Sequence, residues 1–129
     1  MIGYVTVGTN DLDKAAAYFD ALFAEMGIQR FMEVPGYYIA WGPGDDAPGI
    51  AVSKPFNQEP ATVGNGTMVA LAVENREQVN ALHAKALELG GTDEGAPGFR
   101  PEESESGFYG AYFRDLDGNK FNFFCKVPE

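Results

Sequence analysis

Cysteine and histidine occur once each in this 129-residue sequence. A single cysteine, Cys125, excludes an internal disulfide and any CxxC metal site. Its position on the apolar face of a predicted strand indicates a small buried hydrophobe. His83 lies in the middle of a predicted helix, where a packed, hydrogen-bonded histidine is favoured over a ligand. Because no second histidine is available for a Ser-His-Asp or Cys-His arrangement, the sequence gives no support to catalysis by nucleophile and base.

Positive charge is also scarce. The sequence contains nine Lys and Arg residues and 19 Asp and Glu residues, which give a net charge of −10 and a pI near 4.4. Phosphate backbones require clustered cations, so nucleic acid is not an expected partner. No apolar run approaches the roughly 18 residues of a membrane span, and no basic segment precedes an apolar run at the start of the chain. We therefore expect a cytoplasmic protein without a membrane partner.

Apolar residues make up 45% of the sequence, which predicts one packed domain. Ile2–Val7 is predicted as a strand, and Asn10 or Asp11 can cap a helix whose apolar stripe ends before Gly27. Three further strands are predicted at Phe31–Glu33, Tyr37–Trp41 and Gly49–Ser53, separated by Pro35-Gly36 and the Gly42–Pro48 loop. The first half of the chain therefore has the order β-α-β-β-β.

The second half repeats this order. Thr67–Val73 is predicted as a strand, Asn75 as a cap, and Val79–Leu87 as a helix stripe. After a longer excursion, Thr92–Gly107, two strands flank the Asp117-Gly118 turn, at Tyr109–Arg114 and Lys120–Cys125. A constant shift of 64 residues pairs Tyr4 with Met68, Asp11 with Asn75, and Gly27 with Gly91. Agreement of strand, cap and terminating glycine indicates an internal duplication.

The predicted fold class is α+β, with two tandem β-α-β-β-β modules. We expect a partly closed, cup-shaped mixed sheet with the helices on the outside. Module one covers residues 1–54, a linker covers 55–66, and module two covers 67–129. A sheet covered by a helix on one face leaves the other face bare, so the two bare faces are expected to curl around a common cavity.

Three segments resemble the vicinal oxygen chelate superfamily, which includes glyoxalase I, bleomycin resistance proteins and extradiol dioxygenases. They are the opening Gly3–Leu12 (GYVTVGTNDL), the close Phe113–Phe121 (FRDLDGNKF), and Val79–Gly98, which is similar to small bacterial glyoxalase-like proteins. Together with the duplicated modules, the resemblance covers nearly the whole chain. It implies the same fold and a ligand cavity.

Metal-using members of that superfamily bind a divalent ion through His, Glu or related ligands. The resemblance places those positions on Tyr4, near Val52 (or Ala51 or Ser53), on Met68 and on Asn122. A catalytic divalent metal needs about three imidazole, carboxylate or thiolate ligands. These residues supply none, so we expect no metal cofactor. The acidic run Glu102–Glu105 could bind a hard cation, but a solvated loop is favoured.

The leading hypothesis is a metal-free protein that binds a small aromatic or cationic organic molecule, because aromatic residues are abundant and the surface is acidic. The predicted cavity residues are Tyr4, Thr6, Trp41, Met68, Tyr109, Asn122 and Phe124. The resemblance to bleomycin resistance proteins implies a homodimer. Two alternatives remain open. One is a glyoxalase- or dioxygenase-like enzyme with a degenerate or displaced metal site. The other is a non-catalytic interaction subunit whose cavity is plugged by its own side chains.

Overall fold

The computed structural model describes residues 1–44 and 46–129, which form two compact units, Met1–Asn65 and Gly66–Glu129. The division falls inside the segment 55–66 that the sequence predicts as a linker. One predicted element, the Gly42–Pro48 loop, contains Asp45, which is outside the described residues.

Each unit consists of a four-stranded mixed sheet and one helix. The first unit contains β1 (Tyr4–Gly8), α1 (Leu12–Ala24), β2 (Gln29–Val34), β3 (Tyr38–Gly42) and β4 (Gly49–Ser53), with sheet order β1-β4-β3-β2. The second contains β5 (Val69–Ala72), α2 (Arg76–Glu88), β6 (Thr92–Phe99), β7 (Gly107–Arg114) and β8 (Lys120–Val127), with sheet order β5-β8-β7-β6. In the first sheet β1 is parallel to β4, and in the second sheet β5 is parallel to β8. All the other strand pairs are antiparallel. The predicted α+β class with duplicated β-α-β-β-β modules is confirmed.

Both helices begin at predicted caps. The Asp11 carboxylate accepts a hydrogen bond from the Lys14 backbone N–H (3.1 Å), and the Asn75 side chain accepts one from the Gln78 N–H (2.9 Å). Each bond satisfies one of the N–H groups that a helix start leaves without a partner. Of the two predicted candidates for α1, the cap is therefore Asp11. Gly27 follows α1 with a φ of 69°, a left-handed conformation that glycine adopts without steric cost.

Aromatic side chains form the core between helix and sheet in both units. In the first unit, Trp41 on β3 packs against Phe19 and Phe23 of α1 and is 1% exposed. Its indole Nε1 donates a hydrogen bond to the Asp20 carboxylate (2.9 Å), which also forms an ion pair with Arg30. The hydrogen bond from Arg30 is the main cause of the lowered pKa of Asp20, so that carboxyl group stays ionised.

In the second unit, Phe113 stacks with Phe121 and Phe123 beneath α2, and all three rings are fully buried. The β7–β8 turn is organised by Asp115, whose carboxylate accepts hydrogen bonds from the backbone of Asp117 and from Asn119. Burial is the main cause of the raised pKa of Asp115. The sequence predicts one long connection over residues 92–107. The structure corrects this, because the first eight residues of that segment form β6.

No helix within residues 1–44 and 46–129 is long and apolar enough to cross a bilayer.

Candidate functional site

The face of the first sheet opposite α1 forms a concave surface. The strand pairing determines which side chains lie on it, because directly paired residues share a face. Tyr38 pairs with Ser53, and Ala40 pairs with Ala51. The small side chains of β4 form the floor, while the side chain of Tyr4 on β1 lies at the side of the concavity and is 69% exposed. We refer to this surface as the first-unit concavity.

A β-bulge in β2 brings two large side chains to this concavity. The register with β3 shifts between Arg30 and Met32, so that both Phe31 and Met32 line the surface although they are consecutive. Such a bulge redirects a side chain that would otherwise point to the opposite face. The Phe31 ring lies directly over Gly49, where an added Cβ would be 2.9 Å from the ring. Because glycine has no side chain, position 49 provides the room that the Phe31 ring needs.

The segment after β4 forms the remaining wall. Asn10 holds it through two hydrogen bonds to Ala61: the Ala61 N–H donates to Asn10 Oδ1 (2.7 Å), and Asn10 Nδ2 donates to the Ala61 carbonyl (3.3 Å). Gly8 permits this approach, since an added Cβ would be 3.0 Å from the Ala61 Cβ. Residues 54–57 and 60–62 consequently line the concavity, which encloses about 850 Å³. A volume of this size is typical of small-molecule sites.

The lining of the first-unit concavity is rich in rings and poor in charge. Its aromatic side chains are Tyr4, Phe31, Tyr37, Tyr38 and Phe56. Among the described residues that line it, Lys54 is the only one with a charged side chain. The surface can therefore stack against planar apolar groups, and it presents a single cation.

The corresponding bare face of the second sheet has a different composition. Asn122 on β8 lies between Ala70 of β5 and Tyr112 of β7 in the strand pairing. The next residue on that face, Phe124, stacks on Phe108 with ring centroids 5.3 Å apart. The Asn122 side chain is fully buried, and neither of its amide atoms has a hydrogen-bond partner among the described residues. A buried amide in this state normally costs stability.

The seven predicted cavity residues divide between the two units. Tyr4 and Thr6 line the first-unit concavity together. In the second unit, Asn122 and Phe124 share the bare sheet face. Met68, just before β5, is 42% exposed. A cavity common to both modules stays a prediction.

Two of the predicted cavity residues, Trp41 and Tyr109, lie on the helix sides of their sheets. Trp41 packs under α1, on the opposite face from the concavity. Tyr109 also lies on the helix side of its sheet, where its hydroxyl donates to Asn80 Oδ1 of α2 (2.8 Å). The sequence reasoning also missed Phe31, Met32 and the wall residues of segment 54–62. The lack of periodicity in that segment concealed its role, whereas the alternation of β2 was obscured by the bulge.

The positions that the family resemblance reserves for a metal do not fit a divalent ion. Val52 is fully buried on the helix side, and its neighbours Ala51 and Ser53 face the concavity instead. In the first unit the side chain at the expected position is the phenol of Tyr4, and in the second unit the side chains are the thioether of Met68 and the neutral amide of Asn122; each is a poor ligand for a hard cation. Among the described residues, no group of three or more His, Cys, Asp or Glu side chains could hold a metal ion.

The single histidine and the single cysteine are both buried. His83 is 6% exposed, and its Nε2 lies 3.1 Å from Asp93 Oδ1 and 3.2 Å from the Tyr112 carbonyl oxygen. Cys125 is 3% exposed, and burial raises the pKa of its thiol, which disfavours the thiolate. The Glu102–Glu105 run lies in the turn between β6 and β7, with all three glutamates exposed.

Known proteins share this fold. The chain is 35% identical to a glyoxalase/bleomycin resistance protein from Albidiferax ferrireducens, with 98% of each chain covered and a TM-score of 0.85. A hypothetical protein from S. aureus is 29% identical over 95% of this chain and 91% of its own, with a TM-score of 0.72. A glyoxalase/bleomycin resistance protein/dioxygenase family enzyme from Burkholderia phytofirmans shares the fold at 22% identity, covering 97% and 98% of the chains, with a TM-score of 0.74. No protein-family model and no curated protein matches the chain.

Two β-α-β-β-β units, each with one helix on a four-stranded mixed sheet, define a class of modular α+β proteins. Within that class, the chain belongs to the glyoxalase/bleomycin resistance protein family of the vicinal oxygen chelate superfamily.

Proposed function

We propose that this protein binds a small planar aromatic molecule, without a metal, in the first-unit concavity. The observation that carries the proposal is the exposure of aromatic rings around one hollow of about 850 Å³. Tyr4 is 69% exposed, Tyr37 38% and Phe56 92%. Folded proteins seldom leave so many large apolar side chains exposed in one place unless that place binds something.

The chemistry of the lining supports an aromatic ligand. Rings at Tyr4, Phe31 and Tyr38 offer stacked and edge-to-face contacts, and Met32 adds an adaptable sulfur side chain. The aromatic rings are also compatible with a cationic ligand. The described lining contains no carboxylate that could pair with its charge. The exposed Tyr4 ring leaves the concavity open, which favours a binding protein over an interaction subunit with a plugged cavity.

Metal independence belongs to the same proposal. Isomerase, lyase or dioxygenase chemistry of the glyoxalase type needs an ion that holds and polarises neighbouring oxygens. The side chains at the expected ligand positions are poor ligands for such an ion. We therefore propose sequestration of the ligand, as the resemblance to bleomycin resistance proteins suggests, and no chemical conversion.

A homodimer completes the proposal. The strands β1 and β5 each pair with only one neighbour in the sheets of the described chain, and both therefore present an edge. Ala70 and Ala72 of β5 are exposed on the bare face of the second sheet. Unpaired backbone groups on an edge strand favour pairing with another chain.

The test is binding of a neutral aromatic probe, 2-naphthol, to the wild-type protein and to Ser53→Trp. Ser53 lines the concavity, so an indole at this position fills the space that the ligand would occupy. We expect 2-naphthol to raise the melting temperature of the wild type, because a ligand at 100 times its Kd adds about 2.7 kcal/mol of stability. The Ser53→Trp variant should show no such rise.

The matched control is Ala17→Trp, which adds the same side chain at an exposed position of α1, away from the concavity. This variant should bind 2-naphthol as the wild type does. The proposal fails if the probe does not stabilise the wild type, or if Ser53→Trp binds as tightly as Ala17→Trp.

A further inference from the structure

The two compact units are joined in the chain by the peptide bond between Asn65 and Gly66, since the first unit ends at Asn65 and the second begins at Gly66. Asn65 is the only one of the seven asparagines in the sequence that a glycine follows. Residues 62–68 are all exposed, and Asn65 and Gly66 lie in a turn. Exposed turns of small and polar residues are the places where a folded chain is most open to chemical attack.

The Asn65 side chain and the Gly66 nitrogen are both unrestrained. Among the described residues, neither the Asn65 amide group nor the Gly66 backbone N–H has a hydrogen-bond partner. Gly66 has a φ of 97°, and a Cβ added at this position would meet no atom within 4 Å. Because glycine moves between backbone conformations at little steric cost, this turn can bring the Gly66 nitrogen against the Asn65 side-chain carbonyl.

The other exposed asparagine side chains are held by hydrogen bonds. Asn57, in the same connecting segment, accepts one from the Glu59 N–H (3.0 Å). Hydrogen bonds are also accepted by the exposed side chains of Asn10, Asn75 and Asn80. Among the exposed asparagines of the described chain, Asn65 alone therefore combines a free side chain with a following glycine.

A second turn, Asp117-Gly118, has related chemistry but a different structure. The Gly118 N–H donates a hydrogen bond to the Asp115 carbonyl (3.1 Å), and the Asp117 N–H donates to the Asp115 carboxylate (3.0 Å). These bonds hold the glycine nitrogen inside the β7–β8 turn. The structure therefore distinguishes a restrained turn at Gly118 from an unrestrained one at Gly66.

We propose that Asn65 is a site of spontaneous covalent modification, namely deamidation through a succinimide. The Gly66 nitrogen loses its proton and attacks the side-chain carbonyl carbon of Asn65. A C–N bond forms, the bond to the side-chain NH2 group breaks, and ammonia leaves. Water then opens the ring at either carbonyl, which gives an aspartyl or an isoaspartyl residue. Water is the only co-reactant, and asparagine is among the thermolabile residue types.

The modification changes the connection between the two units. It replaces a neutral amide with a carboxylate in a chain whose net charge is already −10. In the isoaspartyl form, the main chain also passes through the side-chain methylene group, which lengthens the connection. A fraction of the protein that grows with age therefore carries an altered junction. Asn65 does not line the first-unit concavity, so this inference is independent of the proposed function.

The experiment incubates the purified full chain in neutral buffer and follows each asparagine by peptide mapping with mass spectrometry. Trypsin releases residues 31–76 as one peptide, because the Lys54-Pro55 bond resists cleavage. This peptide contains Asn57, Asn65 and Asn75, so the three positions are compared in one measurement. We expect position 65 to be deamidated well before the other two, with chromatography separating aspartyl and isoaspartyl products.

In Gly66→Ala the added methyl group hinders attack by the nitrogen. Deamidation of Asn65 should then be about tenfold slower, the factor that about 1.4 kcal/mol of added barrier produces. The matched control is Gly64→Ala, which adds the same group to another left-handed glycine of the segment (φ 66°). In this variant Asn65 should deamidate as it does in the wild type.

Three outcomes would overturn the inference. One is a wild-type protein in which Asn65 survives as long as Asn57, a comparison that does not depend on the folding of any variant. Another is equal deamidation of Gly66→Ala and Gly64→Ala. The third is an aspartyl product without the isoaspartyl form, since direct hydrolysis of the side chain gives aspartate alone.

Discussion

At the scale of single residues, the Asn122 amide is buried at a cost in stability. It lies on the bare face of the second sheet, and neither polar atom has a partner among the described residues. Asn119, in the same unit, is also buried, but its Nδ2 donates to the Asp115 carboxylate (2.9 Å). The two asparagines have similar burial but opposite hydrogen-bond states, so they form a natural matched pair.

We predict that Asn122→Leu raises the free energy of unfolding by about 1–2 kcal/mol, because it replaces an unsatisfied amide with an apolar group of similar shape. Chemical denaturation, followed by far-UV circular dichroism, measures the change.

The control is Asn119→Leu, which should lower the stability by about 1–3 kcal/mol because it leaves the buried Asp115 carboxylate without one of its donors. If Asn122→Leu destabilises the protein as much as Asn119→Leu, then the Asn122 amide has a hydrogen-bond partner in solution, and the prediction is contradicted.

At the scale of elements, the segment after β4 is more than a connection. Two hydrogen bonds between Asn10 and the Ala61 backbone hold Ala61 against the start of α1, and residues on either side of Ala61 line the first-unit concavity. The concavity therefore depends on a contact between residues 51 positions apart in the sequence.

We predict that Asn10→Ala releases this wall. The Ala61 amide hydrogen, which donates to Asn10 Oδ1, should exchange with deuterium about fivefold faster, because a typical hydrogen bond contributes about 1 kcal/mol. Hydrogen–deuterium exchange with NMR detection measures this rate at the single amide.

Asn57→Ala is the control, since the Asn57 side chain accepts only from the Glu59 N–H within the same segment. Exchange at Ala61 should stay at the wild-type rate in this variant. An unchanged rate in Asn10→Ala as well would show that other contacts hold the wall.

The helices could be predicted from the sequence because their signals are local. The caps Asp11 and Asn75 and the following apolar stripes define α1 at Leu12–Ala24 and α2 at Arg76–Glu88, which keep the predicted shift of 64 residues. The orientation of Trp41 could not be predicted in this way. All residues of Tyr38–Trp41 are large or apolar, so the alternation along β3 does not show which face meets α1. The wall segment has no periodicity, and long-range hydrogen bonds alone determine its position.

At the scale of the whole molecule, the unpaired edges of β1 and β5 bear on assembly. We predict that the protein is a homodimer, with a mass near twice the 13.9 kDa of one chain by analytical ultracentrifugation. Ala72→Lys places a charge on the edge strand β5 and should shift the equilibrium towards the monomer, because charged side chains on an edge strand oppose edge-to-edge pairing.

The control for assembly is Ala84→Lys, which adds the same charge at an exposed position of α2. It should sediment as the wild type does. A monomeric wild type at all concentrations, or equal behaviour of the two variants, would contradict the proposed role of the β5 edge.

The wall of the first-unit concavity also bears on how such a protein can change its specificity. Phe56, Pro60 and Thr62 contact the hollow from a segment outside the sheet, and loop residues tolerate substitution better than paired strands. Replacing them can reshape one side of the hollow while β1, β3 and β4 keep their register. Substitution of a few residues in this loop can therefore change the shape of the hollow while the strand pairing of the sheet is kept.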